Sequence, residues 1–368
     1  MDIFFGLLRG GLAELAEYLL AHFVTCLVPA FFIAGGISTF LSQGSILRYF
    51  GYETNKWLSY SVASVSGTVL SVCSCTILPL FAGIYRVGAG LGPAIAFLYS
   101  GPAINVLAIV WTARILGFDL GAGRAVGAIV FAVVIGLLMA KIFYREEKEQ
   151  ASKVFSIATS AGSAKGWQSV VLLLSLVGIL ISLAWGIKIL PERNLETWGL
   201  ITGVNVNVNW LACSFSGLFI LTLVVLLRRW LTREETSDWL RSTWSFSKLV
   251  LPWLLGGIFV AGMIGVILPH EWVARIVGGN SLRSNFIASF TGALFYFSTL
   301  TEVPILKTLM GAGMGTGPAL ALLLTGPALS LPSILVLRRI MGAKKTLTYL
   351  GLTVVMATIC GSIFGLLG

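Results

Sequence analysis

Ten apolar runs divide this 368-residue chain, at approximately 12–41, 57–72, 92–113, 122–143, 167–187, 206–227, 248–269, 284–299, 317–337 and 346–367, with short turn-forming or charged connectors between them. Crossing about 30 Å of hydrocarbon takes roughly 20 apolar residues wound as a helix. Most of the runs reach or approach that length and leave no stretch for a soluble domain. With 57% hydrophobic and 11% charged residues, the chain cannot cover a water-facing surface. Backbone N–H and C=O groups in lipid must be satisfied within the protein, so the runs must be helices. The sequence therefore predicts an all-α polytopic membrane protein.

The runs are not independent of one another. At a fixed offset of 225 residues, Thr76 aligns with Thr301, Pro79 with Pro304, Gly88 with Gly313, Gly90 with Gly315, Gly92 with Gly317 and Pro93 with Pro318. The register holds through Gly101-Pro102-Ala103 against Gly326-Pro327-Ala328, then Arg114 against Arg339, Gly117 against Gly342 and Gly136 against Gly361. This is an internal duplication.

The orientation of the copies follows from the tendency of Lys and Arg to collect in cytoplasmic loops. If all ten runs cross, the 25 basic residues divide 13 to 12, which favours neither side. If 57–85 and 284–310 each enter, break near Pro79 or Pro304 and return, eight crossings remain and the division becomes 17 to 8. The favoured, cytoplasmic side then carries Arg48, Lys56, Arg86, the basic residues of the 145–165 connector, the Arg228 to Lys248 cluster, and Arg338, Arg339, Lys344 and Lys345. Five crossings separate equivalent points, and an odd number inverts the second copy. The expected architecture is two inverted repeats with about eight full crossings and two re-entrant hairpins, ten transmembrane helices being the alternative. It divides the chain into a first repeat at 1–144, a basic linker with two connecting helices at 145–247, and a second repeat at 248–368. The connector from Arg145 to Lys165 reads as solvated, and both termini face outward. Residues 1–30 lack the pattern of a secretory leader, so the N-terminus is expected to be retained. Trp57, Trp111, Trp167, Trp198, Trp253 and Trp272 fall near segment ends, as interfacial anchors do.

The net charge of +10 raises the question of nucleic acid, but topology accounts for Lys and Arg in short connectors, and no nucleic-acid partner is expected. The five cysteines (Cys26, Cys73, Cys75, Cys213 and Cys360) lie mostly inside apolar runs, unlike a secreted disulfide framework. His22 and His270 stand far apart without a second ligand at metal spacing, so no metal site is expected. The glycine runs at 88–93 and 311–318 lack the spacing and lysine of nucleotide-binding loops, and no cofactor is expected. They suit tight turns, with Pro93 and Pro318 in the first turn of the next helix.

Irregular backbone is costly in lipid unless it lines a cavity or is buried in protein, so Pro and Gly clusters inside apolar runs point to a substrate path. Four such clusters exist. Cys73-Ser74-Cys75-Thr76 leads to Pro79, and its repeat partner runs through Thr299, Thr301 and Glu302 to Pro304. Gly101-Pro102 with Asn105 is matched by Gly326-Pro327 with Ser330. Inverted pairing would bring all four together near the midplane. In an extended segment Cys73 and Cys75 share a side, which suits a soft, thiophilic substrate such as a trivalent arsenical or Cu(I); close helix packing by two small residues is the competing reading. Glu302 sits in an apolar run opposite the neutral Ile77 of the other copy. Burial favours its neutral form and makes it a candidate proton carrier, or else it caps the following half-helix. Asn105 and Ser330 offer neutral polar contacts, to a ligand or between helices.

The segment Val72-Cys73-Ser74-Cys75-Thr76-Ile77-Leu78-Pro79, followed by Gly88 to Pro93 and Gly101-Pro102-Ala103-Ile104-Asn105, resembles the ArsP-type permease family, and the resemblance covers nearly the full chain. It implies a bacterial or archaeal inner-membrane permease that expels trivalent organoarsenicals such as methylarsenite; relatives are linked to copper or zinc export. Carried onto this chain, it makes Cys73 and Cys75 the arsenic contacts. No segment resembles an ATPase motor, so a proton-coupled secondary mechanism is expected, with protons, substrate and lipid as partners. A carrier of small anions or sulfur compounds, with half-helix N-termini holding negative charge, is the main alternative. A membrane enzyme with Cys73 as nucleophile would need an activating base that no nearby histidine supplies.

Overall fold

The computed structural model describes residues 2–40, 55–70, 74–148, 166–194, 200–267, 277–295, 302–311 and 313–367. Residues Asp2–Tyr18 form α1, which continues through a π-helical segment, Leu19–Leu27, into α2 (Val28–Phe40). The first unit continues with α3 (Lys56–Leu70), α4 (Ser74–Val87), α5 (Leu91–Ala103), α6 (Val106–Leu116) and α7 (Phe118–Ile142). The connecting region holds α8 (Gly166–Gly186), a two-stranded antiparallel hairpin of β1 (Ile187–Asn194) and β2 (Leu200–Val208), and α9 (Trp210–Trp230). The second unit is α10 (Arg233–Ile267), α11 (Leu282–Leu294), α12 (Glu302–Gly311), α13 (Thr316–Thr325), α14 (Leu331–Met341) and α15 (Ala343–Leu367). The protein is a nearly all-helical polytopic membrane protein, to which the short hairpin is the one addition of strand among the described residues.

The duplication is carried into the backbone. Displaced by 225 residues, α6 and α7 have the same bounds as α14 and α15. The glycines that turn the chain recur in the same register: Gly88 (φ 110°) with Gly313 (φ 103°), and Gly117 (φ 110°) with Gly342 (φ 87°). A side chain disfavours these backbone angles, so glycine is what permits the two turns in each unit. Close packing repeats too. A Cβ on Gly136 would lie 2.7 Å from the carbonyl oxygen of Gly92, and one on Gly361 would lie 2.6 Å from that of Gly317. A Cβ on Gly67 would collide with the Ser100 hydroxyl, just as one on Gly292 would lie 2.5 Å from the Thr325 hydroxyl.

Three observations place a twofold relation between the units. First, α7 packs on α15 and α2 on α10, each helix against its own equivalent. Second, α4 packs on α14 while α12 packs on α6, a reciprocal exchange. Third, the Tyr99 hydroxyl donates to the carbonyl oxygen of Leu324 at 2.7 Å, and 99 and 324 are the same position in the two copies. Contacts between equivalent residues lie on a twofold axis. At the centre, every residue of α5 and all of α13 from Gly317 to Thr325 are buried.

Among the described residues, four helical segments are long and apolar enough to cross alone: Phe118–Ile142, Cys213–Trp230, Arg233–Met263 and Ala343–Leu366. Their faces carry exposed large apolar side chains such as Val126, Ile129, Leu221 and Val355, which suits contact with acyl chains. Helices α5 and α6 together are long enough for a fifth, bent by 48° where they meet. The run at 92–113 is thus a broken helix, and so is 317–337, which divides into α13 and α14.

Candidate functional site

In the first re-entrant candidate α3 is described to Leu70 and α4 from Ser74, and Pro79 lies inside α4. In the second turn of a helix, proline removes one hydrogen bond, so a short half-helix tolerates it. Pro304 is the third residue of α12, where the first-turn N–H has no intrahelical partner to lose. Pro102 is next to last in α5, and Pro327 lies in the turn after α13. Ser74 and Cys75 open α4 and Thr76 is buried, whereas Cys73, Thr299 and Thr301 lie outside the described residues, as do the side chains of Ser74 and Cys75.

Each Gly-Pro cluster meets the half-helix of its own unit. A Cβ on Gly101 would lie 2.8 Å from Cδ1 of Ile77, and one on Gly326 would lie 2.7 Å from Oε1 of Glu302. Positions 77 and 302 are equivalent, so one site is built twice, once with an isoleucine against its glycine and once with a carboxylate. Asn105 and Ser330, also equivalent, cap the next helix: Ala108 N–H donates to Asn105 Oδ1 at 3.3 Å, and Ser333 N–H to Ser330 Oγ at 3.4 Å. Both satisfy first-turn donors of α6 and α14, as N-caps do.

The carboxylate of Glu302 does not stand alone. Arg124, on α7 of the first unit, donates from one terminal nitrogen to Glu302 Oε2 at 3.4 Å and from the other to the Thr112 hydroxyl at 3.0 Å. The Thr112 hydroxyl in turn donates to the carbonyl oxygen of Ala108 at 2.7 Å. Arg124 and Thr112 are fully buried, and Glu302 is 1% exposed. The equivalents of this trio are Tyr349, Leu337 and Ile77, none of them charged. The polar site therefore occurs on one side of the pseudo-axis only, where α12 of the second unit meets α6 and α7 of the first.

A buried ion pair is tolerable only when its remaining polar atoms are also satisfied. Here, among the described residues, Arg124 Nε and Glu302 Oε1 have no hydrogen-bond partner. An unmet donor and an unmet acceptor on one pair suit an arrangement that exchanges partners, taking up a proton, a water or part of a solute. Sequence reading singled out Glu302 and passed over Arg124. The available signal was an arginine within the apolar run 122–143, since an ionisable residue at that depth is functional by default.

A family model described as a predicted permease (ArsP_1) matches residues 9–366. The chain belongs to this permease family. It is similar to the UPF0718 protein MJ0584 of Methanocaldococcus jannaschii, 45% identical over 352 residues, which span 95% of this chain and 94% of that protein. It is also similar to the UPF0718 protein YraQ of Escherichia coli K12, 27% identical over 304 residues, which span 81% of this chain and 65% of that protein. No solved structure matches it significantly.

The permease has a second buried ionic cluster, at the ends of α4, α7 and α15. Glu147 was expected in a solvated linker. Instead it is 6% exposed, on a helical turn after α7. Lys345 Nζ bonds to Glu147 Oε1 at 2.7 Å and to the Tyr85 hydroxyl at 3.0 Å, and the Leu91 N–H donates to Glu147 Oε2 at 3.0 Å. Glu147 thus caps α5 and ties both units together, with Lys344 and Glu146 forming an exposed pair at 3.0 Å beside it. At the equivalent start of α13 the cap is neutral: Gly317 N–H donates to Asn280 Oδ1 at 3.0 Å, and Asn280 Nδ2 donates to the Gly365 carbonyl at 2.9 Å. The starts of α5 and α13 are thus capped by different chemistry, ionic at one and amide at the other.

Proposed function

We propose that this permease is an inner-membrane secondary transporter that exports trivalent organoarsenicals such as methylarsenite in exchange for protons. The observation that carries the reading is the Arg124–Glu302 pair, buried between the two units with one donor and one acceptor unmet. Protonation of Glu302 removes the charge that holds Arg124, loosening α12 from α6 and α7; loss of the proton restores the pair. A proton taken up on one side and released on the other then biases which packing of the units is favoured, which is what coupling requires. The substrate assignment rests on the resemblance carried by Cys73-Ser74-Cys75-Thr76, where two thiols would take the exchangeable positions of the methylated arsenical. Arg124 itself favours a second reading: freed from Glu302, a buried guanidinium would hold a small anion or an anionic sulfur compound.

The test is resistance of arsenic-sensitive cells to methylarsenite and to inorganic arsenite, comparing wild type with Cys73→Ser, Cys75→Ser and Glu302→Gln. Resistance to the methylated form alone, lost in all three variants, supports the proposal. No resistance from well-expressed wild type removes arsenic and leaves the anion reading. Loss in Glu302→Gln but not in the cysteine variants removes the thiol contact while keeping the proton step.

A further inference from the structure

Away from the central site, a cavity of about 530 Å³ opens where α3 and α5 begin and α7 ends. Its lining includes Lys56 from the start of α3, Ser59 one turn on, the first residues of α5, and Leu137, Ala140 and Lys141 from the last turns of α7. Ser59 is 1% exposed and its hydroxyl has no hydrogen-bond partner among the described residues. Many helical serines and threonines donate to the carbonyl four residues back, as Thr68, Ser175 and Thr353 do, although among the described residues the Ser64 hydroxyl also has no partner. A buried hydroxyl that does not, in the wall of a cavity, is a donor lacking its acceptor.

The electrostatics point the same way. Among the described residues the one carboxylate in the lining, Glu147, is already held by Lys345, Tyr85 and the Leu91 N–H. Neither Lys56 nor Lys141 has an ion-pair partner among the described residues. The cavity is thus a basic one with a spare buried hydroxyl, suited to a phosphate oxygen.

Its apolar side identifies the source of that phosphate. Leu137 continues the face of α7 that exposes Val130 two turns earlier, while Trp57, beside Lys56, is 84% exposed at the helix end, as an interfacial tryptophan is. A site that is basic at the helix ends and apolar along a lipid-facing helix has the shape of a phospholipid rather than of a free ion. We propose that this cavity binds an anionic phospholipid, its phosphate between Lys56 and Lys141 with Ser59 donating to it, and its acyl chain against Leu137 and Ala140.

Native mass spectrometry of the purified full chain, exchanged into phosphatidylglycerol or phosphatidylcholine, tests this. Wild type should retain phosphatidylglycerol preferentially. Lys56→Gln and Lys141→Gln should each lower that retention about fivefold, and Ser59→Ala by a smaller factor, with monodispersity on gel filtration unchanged. Lys56→Arg with Lys141→Arg should keep the preference, so loss in the Gln variants is not a folding defect. Equal retention of both lipids by wild type, or a preference untouched in Lys56→Gln/Lys141→Gln, overturns the site. Stabilisation by inorganic phosphate alone, equal to that by phosphatidylglycerol, overturns the lipid as its occupant.

Discussion

Replacing Arg124 by Met should be among the most damaging single changes in the molecule, and replacing Glu302 as well should undo most of the damage. In Arg124→Met, Glu302 stays 1% exposed and keeps no charged partner. Breaking a buried pair from one side costs about 3–5 kcal/mol. Thr112 adds little to that cost, because its hydroxyl already donates to Ala108. In Arg124→Met/Glu302→Ile both charges are gone, and isoleucine against Gly326 repeats what Ile77 already does against Gly101. An apolar replacement of a whole buried pair is neutral to within about 1 kcal/mol or stabilising. The second substitution should therefore recover on the order of 2–4 kcal/mol of the loss, well above the additivity error of about 0.5 kcal/mol. Thermal unfolding of the detergent-purified protein, followed by tryptophan fluorescence, should show Arg124→Met melting about 5–10 °C below wild type. The double variant should recover most of that interval. A double variant no more stable than the worse single variant would refute the reasoning, and Arg124→Lys rescuing fully would show that the planar two-pronged geometry is unimportant.

Other outcomes follow from the same contacts. Gly326→Ala would set a methyl 2.7 Å from Glu302 Oε1 and 3.2 Å from the Leu322 carbonyl, so transport should fall at least tenfold while Gly217→Ala, in open space, changes nothing; uptake in vesicles reads both. Tyr99→Phe leaves the buried Leu324 carbonyl without its donor on the pseudo-axis and should cost about 1–3 kcal/mol in thermal unfolding. Lys345→Met strands Glu147, whose side chain is 7% exposed, and should raise cysteine or protease accessibility at the α5 end; Lys344→Met, in an exposed pair, should not.

The repeat was legible because both its causes are local. Glycines needing positive φ and prolines opening half-helices must sit at fixed places in a broken helix, so Gly88, Gly117, Pro93 and their partners survived duplication in register, and the helices bounded by them coincide. Glu302 was legible from its surroundings, a carboxyl in an apolar run at a break. Arg124 was passed over although its charge within an apolar run was visible; its pairing was not legible, since the Glu302 contact spans 178 residues and links the two copies, and no pattern within either repeat encodes it. Glu147 was misread because a run of charges ordinarily faces water; only the position of Lys345, far along the chain, shows what buries it. The hairpin was missed for a different reason. Val204-Asn205-Val206-Asn207-Val208 alternates with period two, the pattern of a strand, but it was absorbed into the apolar run beginning at 206.

The central claim is that proton movement at Glu302, released and recaptured by Arg124, drives solute across the twofold pair of units. Proteoliposomes loaded with methylarsenite and given an inward proton gradient test it most directly, comparing wild type with Glu302→Gln. The account predicts efflux by wild type that accelerates with the gradient and a variant that ignores the gradient. Efflux by wild type at the same rate with and without the gradient, unaltered in Glu302→Gln, would contradict it.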